Sequence, residues 1–152
     1  WLEGAEPSPS LRASFVQPTA RIKEARWLAD RVQVRAMIDL SDGLAGDARH
    51  LAAASGVRIV LDLGLVPVHP DLPVEDGPNL AMSGGEDYEL CFVSPPGVTG
   101  PCTDEFQEHF GIVLTRVGHV EEGAGVEVVG AANGWDHLAG GFDHFSVREG
   151  SY

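Results

Sequence analysis

The chain has 152 residues, enough for one domain whose folding buries roughly two-thirds of the surface of the unfolded chain. Its 43% hydrophobic and 22% charged content is that of an ordinary globular protein. With 23 acidic against 10 basic residues the net charge is −13, which argues against a nucleic-acid-binding surface and against attraction to anionic membranes. That excess serves solubility, or it holds divalent metal that in turn binds phosphates the bare protein would repel. The two cysteines, Cys91 and Cys102, have no metal-site spacing, and Cys91 in Leu90-Cys91-Phe92-Val93 reads as a small buried hydrophobe. No apolar run approaches a membrane span, and residues 1–20 lack the form of a signal peptide. A cytoplasmic location is expected. The chain begins at Trp1 rather than methionine, which fits a piece of a longer protein.

In chain order, residues 1–17 read as an irregular, proline-punctuated lead-in or linker, and residues 18–152 as a single domain. Ile22, Ala25, Leu28 and Ala29 have helical spacing, predicting an amphipathic helix over 20–31. Val34–Leu40 is short, apolar and partly β-branched, and predicts a strand that stops at the turn Ser41-Asp42-Gly43. Residues 44–55 predict an alanine-rich helix with Gly56 as its C-cap, and Val57–Leu63 a second strand. Residues 64–80 read as a loop with a short helix near its end. Ser83-Gly84-Gly85 is a further turn, followed by a strand over Tyr88–Val93. A helix is expected over 103–110, capped by Thr103, with Phe106 and Phe110 on one face. Residues 112–120 and 125–129 read as two strands of a hairpin, and 130–152 as a glycine- and aromatic-rich tail. The expected fold class is α+β: a mixed β-sheet with packed helices rather than a doubly wound parallel sheet.

Three stretches could carry chemistry. In Asp39-Leu-Ser-Asp-Gly-Leu44 two carboxylates flank a hydroxyl at a strand end, where oxygen ligands for a hard cation can converge. The plainer alternative is that Ser41 or Asp42 only caps the next helix. In Ser83-Gly-Gly-Glu-Asp-Tyr-Glu-Leu90 two glycines permit close approach to a ligand and three acids follow. From spacing alone the plainer account is a tight turn entering a strand with solvated charges, Glu86, Tyr88 and Leu90 on one face and Asp87 and Glu89 on the other. In Gly140-Gly-Phe-Asp-His-Phe145 an aromatic ring could stack on a flat ligand, or the segment could dock on the core. No zinc-ligand spacing, Walker phosphate loop, dinucleotide-binding fingerprint or nucleophile elbow is present.

Taken together, these stretches resemble the C-terminal half of thiamine-monophosphate kinases. Asp39-Leu-Ser-Asp-Gly-Leu44, followed by Asp47, His50 and Ser55-Gly-Val57, resembles one family motif, and Ser83–Leu90 resembles another nearly letter for letter. Asp62, Leu65 and Pro67, then Thr115-Arg-Val-Gly-His-Val120 and Gly141-Phe-Asp-His-Phe145, fit the family's order, as do Pro18 and Arg21 upstream. Gln17 stands where the family often has arginine.

The resemblance implies a domain like the C-terminal one of aminoimidazole ribonucleotide synthetase (PurM C-terminal domain-like), with partial ferredoxin-like topology. It implies transfer of the γ-phosphoryl of ATP to thiamine monophosphate, giving thiamine diphosphate. By the same resemblance Asp39 and Asp42 bind Mg²⁺ and are the catalytic pair, Ser41 contacts ATP, and Glu86 and Phe142 contact the thiamine substrate. An N-terminal nucleotide-binding domain, which forms a homodimer in such kinases, has no counterpart in this sequence, so the chain alone is expected to be inactive. Two rivals remain: a non-catalytic ligand-binding module, disfavoured by the intact Asp39, Asp42 and Glu86, and another member of the superfamily, disfavoured by the Ser83–Leu90 stretch.

Overall fold

The computed structural model describes residues 7–72 and 77–130. Helix α1 (Pro9–Val16) comes first, where the sequence reading expected irregular chain. Ser8 makes the difference. Its Oγ accepts the Leu11 N–H as an N-cap, Pro9 stands at the first helical position, and the Ser8 and Ser10 hydroxyls both donate to Asp71. Those two bonds hold the exposed Asp71 carboxyl below its ordinary pKa, the Ser8 bond contributing most.

Helix α2 (Ile22–Arg31) and strand β1 (Ala36–Asp39) follow close to the expected places. Helix α3 (Leu44–Ser55) has the predicted bounds and ends at Gly56 in the left-handed conformation. Strand β2 (Arg58–Asp62) leads through a single 3₁₀ turn into the loop before α4 (Gly77–Ser83). Then come β3 (Leu90–Val93), α5 (Thr103–Phe110), β4 (Gly118–Glu121) and β5 (Gly125–Val129). Thr103 is not the cap of α5. Cys102 holds that position without a side-chain bond, and the Thr103 hydroxyl donates instead to the Thr99 carbonyl.

The strands form two small sheets. β1 and β3 pair antiparallel, Ala36 opposite Val93 and Asp39 opposite Leu90. The second sheet is mixed, in the order β4-β2-β5, with β2 antiparallel to β4 and parallel to β5. The fold class is therefore α+β, as expected. The expected hairpin is not formed: β4 and β5 are consecutive in sequence but lie on opposite sides of β2, and Arg58 is opposite both Glu121 and Gly125. The connecting turn crosses over Arg58, whose guanidinium reaches Glu121 and Glu127 on the two flanking strands. A strand already waiting between them is a long-range feature, and nothing in the local sequence of 118–129 reports it.

Two apolar cores result, one on each face of the β1–β3 pair. Ala36, Ile38, Leu40 and Cys91 turn toward α3, where Leu44, Ala48, Leu51 and Ala52 meet Ile59 and Leu61 of the second sheet. The alanines allow α3 close to both sheets, because they carry no bulk beyond Cβ. Met37 and Phe92 turn the other way, toward Trp27, Leu28 and Phe106. There Phe106 and Phe110 both meet the Trp27 ring edge-to-face, at centroid distances of 5.4 and 6.2 Å. Replacing Phe106, only 2% exposed, by alanine should cost about 3–5 kcal/mol in urea unfolding. A loss below about 1 kcal/mol would show that the α2–α5 core is not a stabilising unit.

Candidate functional site

The two acidic motifs, some forty residues apart in sequence, are joined by backbone hydrogen bonds. The antiparallel pairing of β1 with β3 continues past the strand ends: Leu40 N–H donates to Glu89 O (2.8 Å), Tyr88 N–H to Leu40 O (2.8 Å) and Glu86 N–H to Ser41 O (2.9 Å). Two glycines make this seam possible. A Cβ on Gly85 would lie 2.7 Å from the Ser41 carbonyl oxygen. Gly43 has φ 93° and ψ 154°, a region open almost only to glycine, and a Cβ there would meet the backbone of Met82, Ser83 and Gly84 at 2.9–3.0 Å.

The seam also explains why β3 begins at Leu90 rather than Tyr88. Glu86 and Tyr88 adopt positive φ, 69° and 51°, so the segment 86–89 does not alternate faces as a strand would. Non-glycine residues held in this region are costly, and two of them so close together mark a segment whose shape is imposed by its neighbours.

The site residues expected from the sequence fall along this seam. Asp39 ends β1 on the face shared with Met37 and lines a cavity of about 340 Å³ with Arg21, Ile22, Tyr88 and Leu90. Among the described residues its carboxylate has neither a hydrogen bond nor an ion pair. Ser41 is exposed and Asp42 half-buried, with the Ser41 hydroxyl 3.5 Å from Asp42 Oδ1. Glu86 is exposed, its amide tied to Ser41. Phe142 lies outside the described residues.

Neither Ser41 nor Asp42 caps α3. The N-cap residue is Gly43, with no side-chain cap bond. The capping relation is inverted: Asp47, inside the first turn of α3, accepts the amides of Ser41 (2.9 Å) and Asp42 (3.0 Å) on Oδ2. Asp42, Asp47 and His50 each offer a ligand atom within 4.8 Å of the others, and His50 Nε2 approaches Asp42 Oδ2 at 4.0 Å. Asp39 stands apart from that trio. Carboxylate and hydroxyl oxygens at a strand end are the donor chemistry that Mg²⁺ takes, whereas the imidazole of His50 suits softer ions.

Sequence reasoning gave no role to Asp47, His50, Arg21 or Glu89. The last two form a forked ion pair, Arg21 Nε to Glu89 Oε2 at 3.0 Å and Nη2 to Oε1 at 2.5 Å, which ties the start of α2 to the seam. The Glu89 hydrogen bond, opposed by burial, raises the Arg21 pKa. Next to it, desolvation and then the Glu89 charge push the Asp87 carboxyl upward. On the opposite face, burial and then the Asp47 carboxylate push the Cys91 thiol up to about 11. The i+5 spacing of Asp47 from Asp42 was the available signal for the inverted cap.

The family model for the AIR synthase related protein, C-terminal domain, matches residues 3–131. The chain belongs to that family. Within it, the chain is 33% identical over 150 residues to the thiamine-monophosphate kinase of Pyrococcus horikoshii, covering 93% of this chain and 45% of that protein. It is 37% identical over 132 residues to the kinase of Aquifex aeolicus, covering 81% of this chain and 40% of that one. The crystal structure of thiamine-monophosphate kinase from Stenotrophomonas maltophilia superposes with a TM-score of 0.73 at 34% identity, over 80% of this chain and 39% of that one. A structure of AaThiL complexed with AMPPCP and TMP superposes at 0.68 and 33% identity, over 86% and 41%. The chain thus spans less than half the length of these relatives. Among the described residues no helix is long and apolar enough to cross a membrane.

Gly43→Ala tests the seam of this family domain. The strained conformation and the backbone overlap should together cost about 2 kcal/mol or more, read as a drop in urea midpoint with unchanged m. A variant as stable as the parent would show that the two motifs are not in contact.

Proposed function

We propose that this chain is the C-terminal half of a kinase that transfers the γ-phosphoryl of ATP to thiamine monophosphate, giving thiamine diphosphate. The observation that carries the reading is the hydrogen-bonded seam, which joins the backbone of Leu40 and Ser41, between the acids at 39 and 42, to the segment 86–89. The relatives' names and the AMPPCP and TMP complex of one of them support the pairing of a nucleotide with thiamine monophosphate.

In this reading Asp39 and Asp42 hold Mg²⁺, Ser41 binds ATP, and Glu86 and Phe142 serve the thiamine side. Mg²⁺ supplies charge neutralisation that lets two anionic phosphates approach. The chain itself offers little else against a net charge of −13. Asp39 and Asp42 therefore act as fixed anionic anchors on one side of the transfer. The Ser41 hydroxyl donates to a phosphate oxygen, and the Glu86 carboxylate complements the thiazolium cation while the Phe142 ring stacks on a planar heterocycle. Nucleotide contacts beyond Ser41, and the homodimer, are assigned to the N-terminal half of a full-length kinase. Residues 18–152 are, on this proposal, the substrate- and metal-binding unit, and residues 1–17, which include α1, lead into it.

In the full-length kinase, Asp42→Asn should lower thiamine diphosphate formation on the order of a hundredfold or more, most severely at limiting Mg²⁺. Near-normal turnover at limiting Mg²⁺ would refute the metal role of Asp42. Phe142→Ala should raise KM for thiamine monophosphate and leave KM for ATP nearly unchanged. Equal effects on both substrates would remove Phe142 from the thiamine side.

A further inference from the structure

Asp47 is only 2% exposed, and its surroundings are unusual for a carboxylate. The ion pairs nearby go elsewhere, His50 to Asp42 and Arg21 to Glu89. Its charge is met instead by the amides of Ser41 and Asp42 on Oδ2, and by its place in the first turn of α3, where the helix N-terminus is electropositive. Its own N–H donates to the Gly43 carbonyl (3.0 Å) as the first bond of the helix, so the side chain is what ties residues 41 and 42 to α3. No side chain caps the helix at Gly43, and the Asp47 carboxylate accepts amides of the loop before it. The loop is the beneficiary. Two successive amides directed at one buried oxygen leave the Ser41 and Asp42 side chains outside, on the rim.

We infer that Asp47 is a positioning residue: its buried carboxylate fixes the backbone of Ser41 and Asp42 so that Asp42 meets a hard divalent cation in a set geometry. The inference rests on Asp42 being a metal ligand, as proposed above. It assigns Asp47 a role through the loop and not as a ligand. Oδ2 already accepts two hydrogen bonds and Asp47 is 2% exposed, so of the two carboxylates in the Asp42, Asp47 and His50 group it is Asp42 that is open to a cation from solvent.

The test uses the 152-residue chain with Mn²⁺ as the probe, free Mn²⁺ being counted by its paramagnetic resonance signal well below each variant's unfolding temperature. Asp42→Asn sets the scale for loss of a ligand. Asp47→Asn keeps shape and an acceptor oxygen but loses the charge. It should weaken Mn²⁺ binding to a value between those of the parent and Asp42→Asn, and Asp47→Ala should weaken it about tenfold or more relative to the parent. The amide protons of Ser41 and Asp42 should move upfield and exchange faster in both Asp47 variants. An affinity equal to the parent in Asp47→Asn would overturn the inference and leave Asp47 a stabilising residue alone. A loss equal to that of Asp42→Asn would overturn it in the other direction, making Asp47 a ligand. Because Asp47→Asn is nearly isosteric, it decides the case even if Asp47→Ala does not fold. A parent chain that binds no Mn²⁺ at all would sink the metal reading of Asp42, and this inference with it, a result visible before any variant is made.

Discussion

The close contact of two backbones, residues 40–43 against 82–89, is the constraint on which the rest of the site depends. It needs glycine at 43 and 85, because a Cβ at either place would overlap main-chain atoms that have no room to move. It needs Glu86 and Tyr88 to accept left-handed conformations, a cost that the hydrogen bonds to Leu40 and Ser41 and the continuation of the β1–β3 ladder offset. Around that seam the two cores take their places. α3 seals one face of the strand pair through small residues, and α2 with α5 seals the other through Trp27 and Phe106.

The same seam organises charge. A chain with an excess of 13 negative charges crowds acids near 39, 42, 47, 86, 87 and 89, and it handles them differently according to depth. Glu89 is clamped by Arg21. Asp47 is buried and satisfied by amides and a helix N-terminus. Asp39 is left without a protein partner among the described residues, at the edge of a cavity. A carboxylate left free beside others is destabilising in isolation and is the kind of group that a cation completes. Partnered acids at 47 and 89 thus shape the frame, while those at 39 and 86, without a side-chain partner among the described residues, are exposed beside it.

What could be read from the sequence was mostly local. The bounds of α3 and its Gly56 cap follow from an alanine-rich run between an Asp-Gly turn and a glycine, and the strands β1 and β2 from short β-branched runs. The acidic stretches stood out because carboxylates, hydroxyl and glycines cluster within a few residues. What escaped was long-range. That β4 and β5 flank β2 instead of pairing with each other depends on a strand sixty residues earlier. That Arg21 meets Glu89 depends on how α2 lies over the strand ends. Pro9 disguised α1, because proline reads as a breaker although it is well suited to a first helical turn behind a serine cap. The inverted cap at Asp47 was hidden because serine and aspartate before a helix ordinarily point the other way.

If the two acidic motifs form one site, a single bound Mn²⁺ must broaden the amide resonances of both in the spectrum of the 152-residue chain. Amides of Ser41–Gly43 and of Gly85–Tyr88 should broaden together at the lowest Mn²⁺ concentrations, while those of the β4–β5 turn at Glu121–Gly123 stay sharp. Broadening of one motif without the other, or equal broadening at the acidic β4–β5 turn, would mean that the two motifs do not share a cation site.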